Sequence, residues 1–118
     1  PTVAEWKELF VNVGGTCNDE EYSCTNSGAI LKSSSGWYDS GNGSDDFGFS
    51  VIPSGWYKVN SSDNISLGNI AYFWTAMEYD SSRAYVWFFI FSQSNAKQDA
   101  SKKMSGHSVR CLKDDSEK

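Results

Sequence analysis

Apolar and polar positions alternate differently in different parts of the chain. Near the N-terminus Trp6, Leu9, Phe10 and Val13 recur at helical spacing, and Thr2 with Glu5 has the form of a capping box, which predicts a helix over about Val3 to Val13. Gly14 and Gly15 should end it, because a left-handed C-cap suits glycine and a glycine pair propagates a helix poorly. Residues 16–46 are polar and turn-rich; the apolar patch Ala29-Ile30-Leu31 predicts one or two helical turns, and a loop begins at Trp37. Within it, Gly41-Asn42-Gly43-Ser44-Asp45-Asp46 reads as a compact turn, since Asn and Gly tolerate positive φ and Asp bonds back to nearby amides.

From Phe47 onward the pattern is β. Phe47 to Ile52 alternates bulky with small residues, Pro53-Ser54-Gly55 turns the chain into Trp56 to Val59, and a loop follows from Asn60 to Asn69. Three further strands are expected at Ile70 to Glu78, Ala84 to Phe91 and His107 to Leu112, with the polar stretch Ser92 to Lys103 between the last two. Ala84 to Phe91 is apolar on both faces, so it is either a central strand covered twice or a strand with one aromatic face open to a ligand. One early helix and late strands give an α+β class rather than alternating βαβ units. A single domain over residues 1–114 with a frayed tail at residues 115–118 is expected, and because the chain opens on Pro1 it reads as a processed or excised piece.

Charge narrows the partners. Ten Lys and Arg against 15 Asp and Glu leave a net charge of −5, which repels a polyanion and argues against nucleic acid. No apolar run approaches the length of a membrane span. Aromatic residues reach 15% and sit among abundant Ser, Asn and Gly, a mixture suited to recognition surfaces outside the cell. Of the three cysteines, Cys17 and Cys24 lie close enough in a polar loop to close a small ring, and this bridge is favoured over a fully reduced set; Cys111 lies in the last expected strand. A single His and the lack of a C-x-x-C pair argue against zinc.

The order of short motifs then becomes informative: Pro1-Thr2-x-Ala4-Glu5-Trp6, Val13-Gly14-Gly15, Leu31-Lys32-Ser33-x-Ser35-Gly36-Trp37, Gly41-Asn42-Gly43-Ser44-Asp45, Gly48-Phe49-Ser50, Phe73-Trp74-Thr75-Ala76-x-Glu78-Tyr79 and Ser108-Val109-Arg110-Cys111-Leu112-Lys113-Asp114. Together they resemble the Fibrobacter succinogenes major paralogous domain family over residues 1 to about 114. The resemblance implies a relative of the C-type lectin-like and formylglycine-generating-enzyme-like folds: a helix packed on a small irregular antiparallel sheet with long loops. It also implies a first strand upstream of Pro1 whose cysteine would pair with Cys111, and it makes the Cys17–Cys24 segment an atypical insertion with its own bridge. Members are secreted or surface-anchored bacterial proteins suspected of adhesion or substrate binding.

Catalytic chemistry is thin. His107 is the sole imidazole, in a packing position by this resemblance, and no second cysteine stands beside Cys111, so no enzyme activity is expected. Asp45, Asp46, Glu78 and Asp80, with the Asn42 and Asn69 carbonyls, are oxygen ligands for a possible calcium ion, yet the Glu-Pro-Asn, Gln-Pro-Asp and Trp-Asn-Asp steps of calcium-dependent lectins are missing. The N-x-Ser sequons at Asn42, Asn60 and Asn64 are given no role. What remains is recognition by aromatic and amide groups. In lectin-like folds the ligand surface comes from the last strands and their loops, which correspond here to Trp74, Glu78, Tyr79, Arg83, Trp87, Gln93, Asn95 and Gln98. The expected function is a non-catalytic secreted or cell-surface bacterial binding domain for polysaccharide or another extracellular ligand; the alternative is an assembly module of a larger surface protein.

Overall fold

The computed structural model describes residues 1–114; the tail expected at 115–118 lies outside the described residues. Helix α1 (Val3–Asn12) starts as its sequence dictates: Thr2 Oγ1 accepts from the Glu5 amide at 3.1 Å and Glu5 returns a carboxylate to the Thr2 amide at 2.8 Å. It stops at Gly14, whose φ of +114° an L side chain adopts only with strain. Strands β1 (Thr16–Asn18) and β2 (Ser23–Thr25) form a hairpin, followed by the short helix α2 (Ser27–Leu31). After a long loop come the two-residue strands β3 (Trp56–Tyr57) and β4 (Asn64–Ile65), then β5 (Ile70–Glu78), β6 (Arg83–Ile90) and β7 (Ala96–Lys102).

The main sheet has five strands in the order β1-β2-β7-β6-β5, every pair antiparallel, and β3 pairs with β4 beside it. The small α+β architecture, one principal helix on a mostly antiparallel sheet, is therefore as expected. Trp6 and Phe10 of α1 are buried against the sheet: Phe10 meets Trp87 edge-on at 5.0 Å and Phe89 at 6.0 Å, while Trp6 lies 5.3 Å from Phe73. Burying such rings supplies about 2–3 kcal/mol each, so this helix–sheet layer is the main core.

Three expected strands change character. Phe47 to Ile52 is a turn with one bridge, Val51 to Lys32, because Asp45 accepts from both the amide and the hydroxyl of Ser50 and curls the segment. Trp56 to Val59 shortens to β3, and His107 to Leu112 runs extended beside β5 but bridges it only at Ser108, which pairs with Phe73. Conversely, the polar stretches that hold β1, β2 and β7 form strands. The ambiguity over Ala84 to Phe91 resolves as a central strand: Trp87 and Phe89 point at α1, and on the other face Val86 is buried while Phe88 and Ile90 are half-buried.

The long loop is held from within. The ammonium of Lys32, 2% exposed, donates to the carbonyls of Ile90 and Gln93 and lies 4.7 Å from the Trp37 ring. Burial lowers it to about 8, which leaves it cationic at neutral pH. Trp37 donates to Ser33 Oγ and the Val51 carbonyl, and its amide bonds Asn42 Oδ1. Gly41 and Gly43 pass so close to neighbours that a Cβ would sit 2.4 Å from the Phe91 carbonyl or 2.6 Å from Lys32. The Leu31–Trp37 and Gly41–Asp45 motifs are thus scaffolding.

Candidate functional site

Past Trp74 the β5–β6 ladder slips: Trp74 faces Val86, but the next pair is Glu78 with Ala84. Thr75 fills the irregularity, its hydroxyl donating to the Tyr85 carbonyl at 2.8 Å and accepting from the Met77 amide. The bulge delivers the turn residues Tyr79 and Asp80 beside Arg83, where both amides bond the Arg83 carbonyl. At the same end of the sheet β2 pairs only with the start of β7, and the final link is the Gln98 amide to the Tyr22 carbonyl at 2.8 Å. Between the β1–β2 hairpin and the β5–β6 turn a cleft of about 290 Å³ remains, lined by Tyr22, Tyr79, Arg83, Tyr85, Gln98, Asp99 and Ala100.

Its walls are ordered by charge and ring contacts. Arg83 donates through Nε and Nη2 to Asp80 Oδ2 at 3.0 and 2.7 Å and lies 4.6 Å from the Tyr79 ring, which meets Tyr85 at 5.3 Å and 80°. Bonding to Arg83 holds the Asp80 carboxyl down at about 2. Tyr22 and Tyr79 are 61% and 49% exposed, so their rings are reachable from solvent. Cys17 and Cys24, directly opposite on β1 and β2, are joined by a disulfide that closes the hairpin carrying Tyr22.

The eight expected ligand residues do not converge. Tyr79, Arg83 and Gln98 share the cleft. Trp74 and Glu78 line a separate hollow of about 320 Å³ next to Lys103, which is ion-paired with Glu78. Gln93 and Asn95 sit in the turn at the far end of β6, where the Gln93 carbonyl is occupied by Lys32. Trp87 is fully buried against Phe10, which corrects its expected place on a binding face: an indole opposite α1 contributes more by packing than by exposure. The expectation omitted Tyr22, Tyr85 and Asp99. Tyr85 had a signal in its alternation with Arg83 and Trp87, and Tyr22 in being the one ring between Cys17 and Cys24. Asp99 had none, since its strand read as a polar connection.

Elsewhere, His107 packs in a second aromatic cluster with Tyr72 at 4.7 Å, Trp74 at 4.6 Å and Trp56 at 5.7 Å. Its Nε2 shares a 2.7 Å hydrogen bond with Ser101 Oγ, burial pushes the imidazole down to about 4, and Nδ1 is buried without a hydrogen-bond partner among the described residues. Of the acidic residues considered for calcium, Asp45, Glu78 and Asp80 are engaged by Ser50, Lys103 and Arg83, and among the described residues no three His, Cys, Asp or Glu groups converge to hold a metal ion. Cys111 is exposed and free among the described residues, at a hollow of about 150 Å³ it shares with Pro1, Trp6 and Phe49. No helix among the described residues is long and apolar enough to cross a membrane.

Fold and cleft define a small α+β domain stapled by one disulfide, with an aromatic depression at one end of its sheet. Residues 1–113 match the Fibrobacter succinogenes major domain family, and the chain belongs to that family. Neither the curated proteins nor the solved structures contain a match to it.

Proposed function

We propose that this chain is a non-catalytic bacterial binding domain of C-type lectin-like architecture, secreted or displayed at the cell surface, that recognises polysaccharide through the Tyr22–Tyr79–Tyr85 cleft. The carrying observation is the convergence of three tyrosines with Arg83 and Gln98 on one open depression. Tyrosine rings cover the apolar C–H face of a pyranose, while phenol, amide and guanidinium groups satisfy its hydroxyls. Arg83 already lies over Tyr79, so Tyr85 and Tyr22 are the rings on which a sugar stacks. A hairpin disulfide suits an oxidising compartment.

The test is retention of the purified chain on insoluble cellulose and xylan and on a soluble glycan array, with and without calcium, beside Tyr85→Ala and Tyr22→Ala. Saturable binding that both variants lose supports the reading. A folded chain that binds none of them sinks it.

One observation favours the second reading, a protein-contact module. Beyond Gln98 the outer edge of β7 has no neighbouring strand among the described residues, because β2 ends, and such an edge accepts an extended segment of another protein. Association of isolated chains in sedimentation, without glycan binding, would decide for it.

A further inference from the structure

We infer that the cleft selects uncharged glycans and rejects acidic ones, with Asp99 as the residue that sets this preference; the inference rests on the binding role proposed above. Arg83 is the cation among the lining residues, and its charge is already answered: two of its nitrogens bond Asp80, and its guanidinium carbon lies over the Tyr79 ring at 4.6 Å. A uronate carboxylate entering the cleft would have to compete with Asp80 for a guanidinium that is held in place.

Asp99 lines the same cleft from β7, opposite Val86 in register; among the described residues its carboxylate accepts from the neighbouring Ala100 amide at 2.8 Å, and its charge reaches both Arg83 and, across the sheet, Tyr72. Hydrogen bonding to a neutral amide leaves the negative charge in place. Alternation along β7 explains the contact: Gln98 turns its amide outward to Tyr22, so Ala100 also faces the edge that β2 has left, and the nearest acceptor is the Asp99 side chain. Lys102 stands opposite Arg83 in register but is exposed and outside the lining, where solvent screens it. Arg83 is answered by Asp80 through hydrogen bonds and, more weakly, by the charge of Asp99, so the three groups together leave one negative charge at the cleft, within a chain of net charge −5. A carboxylate-bearing sugar is disfavoured there, whereas the same carboxylate accepts hydrogen bonds from the hydroxyls of a neutral sugar.

The experiment is calorimetric titration of the full chain with cellohexaose and xylohexaose as neutral probes, and with hexagalacturonate and glucuronate-substituted xylohexaose as acidic ones, at low and high salt. Asp99→Asn is the partner variant, because an amide oxygen still accepts from Ala100 while the charge is gone. In the unaltered chain a neutral probe should bind at least about tenfold more tightly than its acidic counterpart at low salt, a ratio that shrinks as salt rises. Asp99→Asn should bring the ratio within about threefold. Acidic probes binding as well as neutral ones, or a ratio that Asp99→Asn leaves unchanged, overturns the inference and leaves the binding role standing. Silence from every probe, with the chain folded, removes the binding role and this inference with it.

Discussion

His107 shows what a single buried group does to the pH response. Its native value, about 4, lies below the ordinary 6.5 because burial disfavours the charged ring. Between those values the unfolded chain takes a proton that the native imidazole refuses, so stability falls as pH drops from 6.5 towards 4, and this contribution is fully present only above 6.5. A single imidazole exchanges at most one proton, so the slope stays under about 1.4 kcal/mol per pH unit. We predict a larger drop in the urea midpoint between pH 7 and pH 4.5 for the native chain than for His107→Phe; equal drops would assign the acid response to the carboxylates. At this scale the sequence was half readable. Trp74 and Trp87 have the same residue type and similar apolar neighbours, yet one lies under α1 and the other on the opposite face, a distinction set by cross-strand register that no local pattern encodes.

Among the elements, α1 was legible because its signals are local: a capping box, an apolar stripe and a terminating glycine. β5 and β6 were legible because their apolar runs are long. β7 was not, since a strand whose outer edge meets water carries Lys, Gln and Asp where a central strand carries Val and Phe. The β1–β2 hairpin was hidden for a related reason, and its disulfide supplies stability that its three-residue strands lack. Closing so short a loop stabilises by about 2 kcal/mol on the chain-entropy account. Replacing both Cys17 and Cys24 by Ser should therefore lower unfolding free energy by about 2 kcal/mol and weaken glycan retention. The second effect follows because the hairpin carries Tyr22. Unchanged stability in a denaturant titration would show that β2–β7 pairing alone holds the hairpin.

For the whole molecule, core and candidate site are separate. Trp87 holds helix to sheet, whereas Tyr85 lines the cleft at the sheet's end. Trp87→Ala should cost about 3–5 kcal/mol, enough to unfold much of a small domain, and so gives no information about binding. Tyr85→Ala should cost less than half as much while abolishing retention on glycan, which thermal melts beside the retention assay would reveal; comparable losses in the two variants would place Tyr85 in the core. The family was readable because its motifs are scaffold motifs, and the cleft was only partly readable because its walls come from three segments distant in sequence. Lys32, with two carbonyls and an indole face around its ammonium, works as an internal rivet that fastens the long loop to the β6–β7 turn without help from any cleft residue. The frame is therefore fastened independently of the mouth, so exchanging Tyr22, Tyr79, Tyr85 or Asp99 should leave the long loop in place.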